Sequence, residues 1–229
     1  MIYLKYVLVA LAGYFIGNLS FAKIISKYKL KDDITKKGSG NPGTMNMYRN
    51  FGTKIGALTL LLDVLKGLIP AVIGMLVLGL TEGDKVLYAG GKLTEMACSG
   101  VFVAGTAAVL GHCFPVIYKF KGGKGVATTL GVFLAANPAL ISIAFVCLLA
   151  MMLIFEYGGV SSIISVAGAI CYEAYIYKGN YVILTCLLLI FVVVWFAHRK
   201  NIVRTLTGEE SRTDIRKIFK KKKKENQQL

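Results

Sequence analysis

The chain of 229 residues is 55% hydrophobic and 17% charged, whereas soluble domains carry roughly 25% charged residues. One run of 30 residues, 126–155, holds no charged side chain, and about 20 apolar residues are enough to cross a bilayer, so an ordinary soluble domain is excluded. The net charge of +15 does not indicate a nucleic-acid partner, because no stacking aromatic residues are interleaved within Lys220–Lys224.

Basic residues cluster beside the apolar runs. Of the 27 Lys and Arg, 21 fall in residues 27–54, 119–124 and 199–224. Positive charge next to membrane spans marks the cytoplasmic side of a membrane protein. We therefore expect all three stretches in the cytoplasm, with Lys220–Lys224 as a solvated tail held near anionic lipid headgroups.

Three apolar stretches predict the first three membrane spans, over residues 3–25, 53–80 and 97–117. The first has Lys5 before its apolar run, as a signal peptide would. No small-residue cleavage site precedes Lys23, however, so we expect this span to be retained. Residues 81–95 lack an excess of basic side chains, which suits the outer side and places the N-terminus outside as well.

Residues 126–197 should begin and end on the cytoplasmic side, so they need an even number of crossings. Breaks are predicted at Asn137-Pro138, 156–159 and 178–180. Splitting at Pro138 gives four crossings, although residues 126–136 would rise only about 16 Å as a helix, short of the roughly 30 Å membrane core.

The sequence thus predicts an all-α polytopic membrane protein with seven transmembrane helices and a cytoplasmic C-terminus. Residues 1–229 are expected to form one domain, with a basic tail from about residue 211. Parity also places the break at 156–159 on the cytoplasmic side.

A polar, glycine-rich cluster, residues 38–49, lies between the first two spans. Glycine lets the backbone turn its N–H groups toward an anion, and Arg49 offers a bidentate fork suited to phosphate. The same residue types are typical of a plain turn followed by a helix cap. The density of small polar residues beside Arg49 favours substrate binding, by Ser39, Gly40, Asn41, Thr44 and Asn46.

A second glycine-rich cluster, residues 119–125, follows the third span. Its Gly-Gly-Lys-Gly lacks the spacing of a nucleotide-binding P-loop, and no strand precedes it, which disfavours nucleotide hydrolysis. We expect the N–H groups of Gly122 and Gly123 to hold a phosphate, with Lys124 as a point charge. His112, just before this cluster, either contacts substrate or is a hydrogen-bonded residue at a helix end.

A third segment, residues 198–210, follows the last span. His198 and Asn201 are three residues apart, so on a continuing helix they would share one face. The usual excess of basic residues on the cytoplasmic side of a span would also explain the basic residues at this position. Ser161 and Ser162, which follow the break at 156–159, would begin a helix on the same side of the membrane.

Two charged residues, Asp63 and Lys66, lie within the second span at i,i+3 spacing. An intramembrane pair neutralises its own charge and braces helix packing, and it is also a common functional marker. Bracing is the interpretation that we favour. The five cysteines show no metal-ligand spacing, so neither a metal nor another cofactor is expected.

Together, these segments resemble the bacterial membrane acyl-phosphate:glycerol-3-phosphate acyltransferase family. They match in the family's order, and the resemblance covers essentially the whole chain. Residues 81–98 are long for the family's outer loop, the lysine tail is extended, and the match around Tyr157 is loose. The matching stretches are 38–49, 63–67, 111–115, 119–128 and 198–204, with Gly208 and Glu210 behind the last.

The resemblance implies that a fatty acyl group passes from acyl phosphate to the 1-hydroxyl of glycerol 3-phosphate, giving lysophosphatidic acid and inorganic phosphate. This would occur at the cytoplasmic face of the plasma membrane, among membrane lipids. The catalytic residues implied are Arg49, Lys124, His112 and His198. The substrate-binding residues implied are Ser39, Gly40, Asn41, Thr44, Asn46, Gly122, Gly123, Ser161, Ser162, Asn201 and Glu210.

Two questions stay open at this point. The proton of the attacking hydroxyl could go to His112, to His198 or to the substrate's own phosphate. We prefer the last route, because neither histidine has a carboxylate nearby in the sequence to orient it. The alternative function is a transporter of a phosphorylated small molecule, which would place anion-binding groups near the midplane and show repeat symmetry, and no convincing repeat is present.

Overall fold

The computed structural model describes residues 2–80, 88–89, 92–210 and 212. Within these residues the chain is almost entirely helical, apart from a pair of two-residue antiparallel strands, β1 (Tyr88–Ala89) and β2 (Lys92–Leu93). The helices are α1 (Ile2–Gly17), α2 (Phe21–Ile24), α3 (Thr44–Gly79), α4 (Glu95–Cys113), α5 (Val126–Ala136), α6 (Pro138–Phe155), α7 (Gly158–Ile176), α8 (Tyr181–Ala197) and α9 (Arg199–Leu206).

Five of the described helical segments are long and apolar enough to cross a membrane, and a sixth is formed if α8 and α9, bent by 52°, are counted as one. Helix α5 has 11 residues and is too short to cross by itself. The protein is therefore an integral membrane protein, as predicted, while the count of seven spans stays a prediction. The basic run Lys220–Lys224 lies outside the described residues, as do residues 81–87 and 90–91 of the segment predicted to face outward.

The predicted breaks are confirmed, and side-chain caps explain two of them. Asn137 ends α5 and caps α6, because its side chain accepts a hydrogen bond from the N–H of Leu140 at 3.2 Å. Pro138 takes the first helical position, where no N–H is needed. Asn180 caps α8 in the same way, accepting from Ile183 at 3.1 Å.

Helix α3 begins earlier than the predicted start of the second span at residue 53. It starts at Thr44, directly after the first glycine-rich cluster, and its helical geometry is interrupted at Gly52, where φ is 83°. The residues before Gly52 form a short arm that belongs to the loop region, and those after it form the membrane-spanning part. This arm could not be predicted, because its polar residues are also typical of a loop.

Helix α4 lies at the centre of the bundle and packs against α1, α3, α5 and α8. Its Phe102 ring meets the rings of Phe133 and Tyr177 edge-on, with centroids 6.3 and 5.8 Å apart. By contrast, α6 and α7 are mostly exposed and carry large apolar side chains outward. Such an apolar surface is stable in contact with lipid, whereas contact with water would be unfavourable.

Glycine permits the closest helix contact around the site, between α3 and α5. A Cβ on Gly67 would overlap the carbonyl oxygen of Thr128, which is backbone and cannot move aside. This contact fixes the start of α5, and with it the glycine-rich residues that precede that helix.

We expect Gly67→Ala to destabilise the protein by about 1–3 kcal/mol, because the added methyl forces α3 and α5 apart. Thermal unfolding in detergent measures the effect. Gly168→Ala is the matched control: Gly168 also lies within a helix, but a Cβ there meets nothing within 4 Å. Equal losses for the two variants would show that the α3–α5 contact is not critical.

Candidate active site

Three segments that are far apart in sequence meet at one end of the bundle. They are the first glycine-rich loop (residues 38–43), the second glycine-rich loop (residues 119–125) and the C-terminal segment (residues 198–210). Between them lie two cavities: a main cavity of about 690 Å³, and a side cavity of about 470 Å³. The cavities share a wall formed by Ser39, Asn41, Lys124, Asn201 and Arg204.

Asn46 shapes the first glycine-rich loop. Its side-chain oxygen accepts a hydrogen bond from the Ser39 N–H at 3.2 Å, and its amide group donates to the carbonyls of Ile34 and Lys37 at 3.3 and 3.0 Å. Asn50 donates a further bond to the same oxygen. These bonds hold Ser39 and its neighbours in place. Asn46 also lines the main cavity, so its expected contact with substrate stays a prediction.

Arg49 is exposed and lines the main cavity. Thr44 lines the same cavity, with a buried hydroxyl oxygen for which no hydrogen bond is present. Ser39 and Asn41 face both cavities, and Gly40 faces the side cavity. The first loop therefore supplies polar groups to both spaces.

His112 organises the second glycine-rich loop. Its carbonyl oxygen accepts the N–H of Gly123 at 3.0 Å, and its ring lies so close to Gly123 that a Cβ there would overlap Nε2. The prediction that the Gly123 N–H holds a phosphate is therefore wrong, because that N–H already has a partner within the protein. Gly122 does line the side cavity.

Lys124 lies between the two cavities and lines both. Desolvation among the loops lowers the pKa of Lys124 to about 8, although the nearby Glu210 carboxylate acts in the opposite direction. Arg204 and Arg49 lower it further by repulsion between like charges. Such a cation gains from binding an anion, since the anion replaces the lost water.

The C-terminal segment brings His198 and Asn201, both nearly fully buried, to the main cavity, so the two share one face as their spacing predicted. His198 Nδ1 lies 2.8 Å from the Val194 carbonyl oxygen, which can only accept, so Nδ1 carries the proton and Nε2 is left as an acceptor. Glu210 accepts bonds from Asn201 at 2.8 Å and from Arg204 at 2.7 Å. Glu210 therefore fixes two of the donors that line the cavities.

The Asp63–Lys66 pair is buried and closes at 2.8 Å, in keeping with the bracing role. Lys66 also donates to the Leu19 carbonyl oxygen at 2.9 Å, just after α1. Asp63 reaches the wall of the main cavity, where its Oδ1 lies 3.9 Å from His112 Nδ1, beyond hydrogen-bonding distance. The pair thus connects the end of α1 with the wall of the main cavity.

The two serines predicted as one pair have different environments. Ser162 lines the main cavity and donates a hydrogen bond to the Gly158 carbonyl at 2.7 Å. Ser161 is fully buried and does not line either cavity. The structure thus brings Ser162 to the site and leaves Ser161 in the packing between helices.

The cavities differ in charge and polarity. Among the residues that the structure describes, five cations and no carboxylate line the side cavity: Lys23, Lys121, Lys124, Lys200 and Arg204. The main cavity is polar at the loops and apolar farther along, where side chains of α3, α5 and α6 line it. Sequence reasoning missed this apolar part, as well as Arg204, which lay unnoticed within the third segment.

Comparisons with known proteins agree with this geometry. A family model described as glycerol-3-phosphate acyltransferase matches residues 7–208. A glycerol-3-phosphate acyltransferase of Finegoldia magna is 34% identical over 212 residues, covering 93% of this chain and 98% of the relative.

Two crystal structures of PlsY (YgiH), an integral membrane glycerol 3-phosphate acyltransferase, are also similar to this chain. The glycerol 3-phosphate form has a TM-score of 0.77 and 31% identity, covering 93% of this chain and 98% of that one. The lysophosphatidic acid form has a TM-score of 0.73 and 32% identity, covering 90% and 94%.

Removing one partner of the Asp63–Lys66 pair should destabilise the protein by about 3–5 kcal/mol, because it leaves an uncompensated buried charge. Asp63→Leu and Lys66→Met should each lower the unfolding temperature in detergent. The double variant should recover part of that loss. A double variant as unstable as the sum of the two singles would contradict a direct pairing between these side chains.

Proposed function

Because this chain belongs to the glycerol-3-phosphate acyltransferase family, we propose that it transfers a fatty acyl group from acyl phosphate to the 1-hydroxyl of glycerol 3-phosphate. The products are lysophosphatidic acid and inorganic phosphate. The family membership supports the acceptor and the reaction type. The acyl phosphate donor is the finer part of the proposal, and the cavities support it.

The observation that carries the proposal is the position of Lys124 between a cationic cavity and a partly apolar one. An acyl phosphate needs cationic side chains around its phosphate and apolar side chains around its alkyl chain. The main cavity has both. Glycerol 3-phosphate is small and anionic, and it suits the side cavity. Both phosphates would then approach Lys124 and Arg204, and Arg49 would hold the donor's phosphate from the first loop.

The proposed reaction requires little covalent chemistry from the protein. The hydroxyl oxygen forms a bond to the acyl carbon, the bond from that carbon to the phosphate oxygen breaks, and phosphate leaves with the bonding electrons. Phosphate is a good leaving group, so positioning and charge stabilisation dominate, and positioning alone contributes up to about 7–11 kcal/mol. Ser39, Asn41 and Asn201 would orient phosphate or glycerol hydroxyls.

We propose that the hydroxyl proton goes to a substrate phosphate. The carboxylate nearest to His112 is Asp63, but it lies beyond hydrogen-bonding distance and already pairs with Lys66. His198 is oriented by a backbone carbonyl and not by a carboxylate. This arrangement supports the substrate-assisted route, with His198 Nε2 placed to accept a hydrogen bond from substrate.

We further propose seven spans, an outer N-terminus and a site that faces the cytoplasm at the plasma membrane. The support is the clustering of basic residues at the loop end of the bundle, including Lys121, Lys200 and the first-loop region. The short α5 would complete the count as a half-span supported by α3 and α4.

Purified protein in detergent should release phosphate from hexadecanoyl phosphate only when glycerol 3-phosphate is present, with lysophosphatidic acid formed in equal amount. Hexadecanoyl-CoA should not replace the donor. Arg49→Ala should lower kcat/KM by about a hundredfold or more, because a phosphate contact made in the transition state is lost. Lys54→Ala is a control at a basic residue that lines neither cavity.

Turnover with the CoA thioester, and none with the phosphate, would overturn the proposed donor. Uptake of glycerol 3-phosphate into vesicles without any acylation would overturn the enzyme itself and favour a transporter.

The pH dependence should report on Lys124. Its pKa in the folded protein lies below the ordinary lysine value of 10.5, so its charge is lost as the pH rises through about 8. We expect kcat/KM to fall above that pH, and Lys124→Arg to move the fall upward by about one unit or more, since arginine stays charged. Bound phosphate favours the charged form, so the fall in kcat should come at higher pH than the fall in kcat/KM.

The histidines provide the contrasting measurement in the same pH series. His112→Gln and His198→Gln should lower activity by less than about a thousandfold and should keep the acid side of the profile, because neither serves as the base. Disappearance of an acid limb near pH 6–7 in either variant would contradict the substrate-assisted route.

A further inference from the structure

We propose that the donor's alkyl chain occupies a slot between α3, α5 and α6, that it leaves the slot sideways into the bilayer beside Phe145, and that Leu148 is a specificity-determining residue for chain length. This inference rests on the proposed function, and it concerns the apolar part of the main cavity. It identifies how far along the donor's alkyl chain the protein still makes contact.

The slot is the apolar continuation of the main cavity. Its polar end is at Lys124 and Gly125, and Val126 and Ala127 follow directly on α5. The apolar side chains of the wall are Leu60 from α3, Leu130 from α5, and Phe145, Leu148, Leu149 and Met152 from α6. Asp63 of α3 also lines the cavity, and Lys66 neutralises its charge. Because a phosphate site and an apolar wall form one cavity, an alkyl phosphate derivative is the ligand that fits both.

The slot is closed near its polar end and open at the other. Leu148 and Met152 are nearly fully buried and pack against Met45 at the start of α3. Phe145 also lines the cavity, yet 43% of its surface is exposed. Helix α6 packs more on α7 than on α5, and the exposed part of the Phe145 ring marks where the slot reaches the lipid-facing surface.

The length of the slot can be read from α6. Met152 and Phe145 are seven residues apart, which is about 10 Å along a helix and corresponds to roughly eight methylene groups of an extended chain. Donors with chains this short dissolve in water, so within this length each further methylene is taken out of water by the protein. Beyond it, added methylenes contact lipid in both the free and the bound donor.

A definite dependence on chain length follows. Up to about eight carbons, each added methylene should raise kcat/KM by up to about fourfold, the factor that corresponds to burying one methylene. For longer chains the increase should stop. A fully enclosed slot would instead show a maximum and then a decline, as the chain outgrows the space.

The test introduces tryptophan at two neighbouring positions of α6. Leu148→Trp narrows the slot at its middle, whereas Val146→Trp puts the same side chain on the lipid-facing side, where Val146 is 64% exposed. We expect Leu148→Trp to lower kcat/KM for hexadecanoyl phosphate by about tenfold or more and to leave butanoyl phosphate within about threefold. Val146→Trp should leave both donors within about threefold.

Equal effects of the two tryptophans on the long donor, or an equal loss for both donors in Leu148→Trp, would overturn the slot. If Leu148→Trp does not fold, Leu148→Ala gives the opposite test. It enlarges the slot, so a donor with a methyl branch at mid-chain should gain at least about fivefold relative to the linear donor, and no gain would overturn the assignment. Wild-type protein that turns over neither donor would overturn the proposed function itself.

Discussion

The ion pair between Asp63 and Lys66 is the interaction on which the site depends. A charge inside a membrane bundle is tolerated only with a partner, and here each charge has one at 2.8 Å. Lys66 also holds the backbone at Leu19, and Asp63 faces His112, whose carbonyl fixes Gly123 in the second glycine-rich loop. One neutralised pair therefore joins the end of α1 to the middle of α3, at the wall of the main cavity that His112 also lines.

Both glycine-rich loops are shaped by the protein before any substrate arrives. Asn46 holds the first loop from within, and His112 holds the second through its carbonyl group. Glu210 does the same for Asn201 and Arg204 in the C-terminal segment. Groups fixed in this way lose little freedom when substrate binds, which is how positioning comes to supply catalysis.

Much of this architecture could be predicted from the sequence, for reasons that are clear in hindsight. The breaks at Asn137-Pro138 and 178–180 could be predicted because proline and capping asparagine act locally. The meeting of the three polar segments could be predicted because charge reports which end of a span each one occupies.

What could not be predicted are contacts that depend on packing between distant helices. Asp63 and His112 are 49 residues apart in the sequence, and nothing local shows that they meet. The same holds for Asn46 and Gly123, whose residue types suit substrate binding but whose hydrogen bonds go to the protein.

Because Phe145 lines the main cavity and is partly exposed to lipid, the donor would reach the enzyme from within the membrane. A reactant that enters from the side is supplied by a two-dimensional solution, the leaflet, whereas the acceptor is supplied by bulk water. The rate would then depend on how much donor there is per unit area of membrane. As newly made lipid enlarges the membrane, it would lower the amount of donor per unit area. Growth of the membrane would therefore slow the reaction.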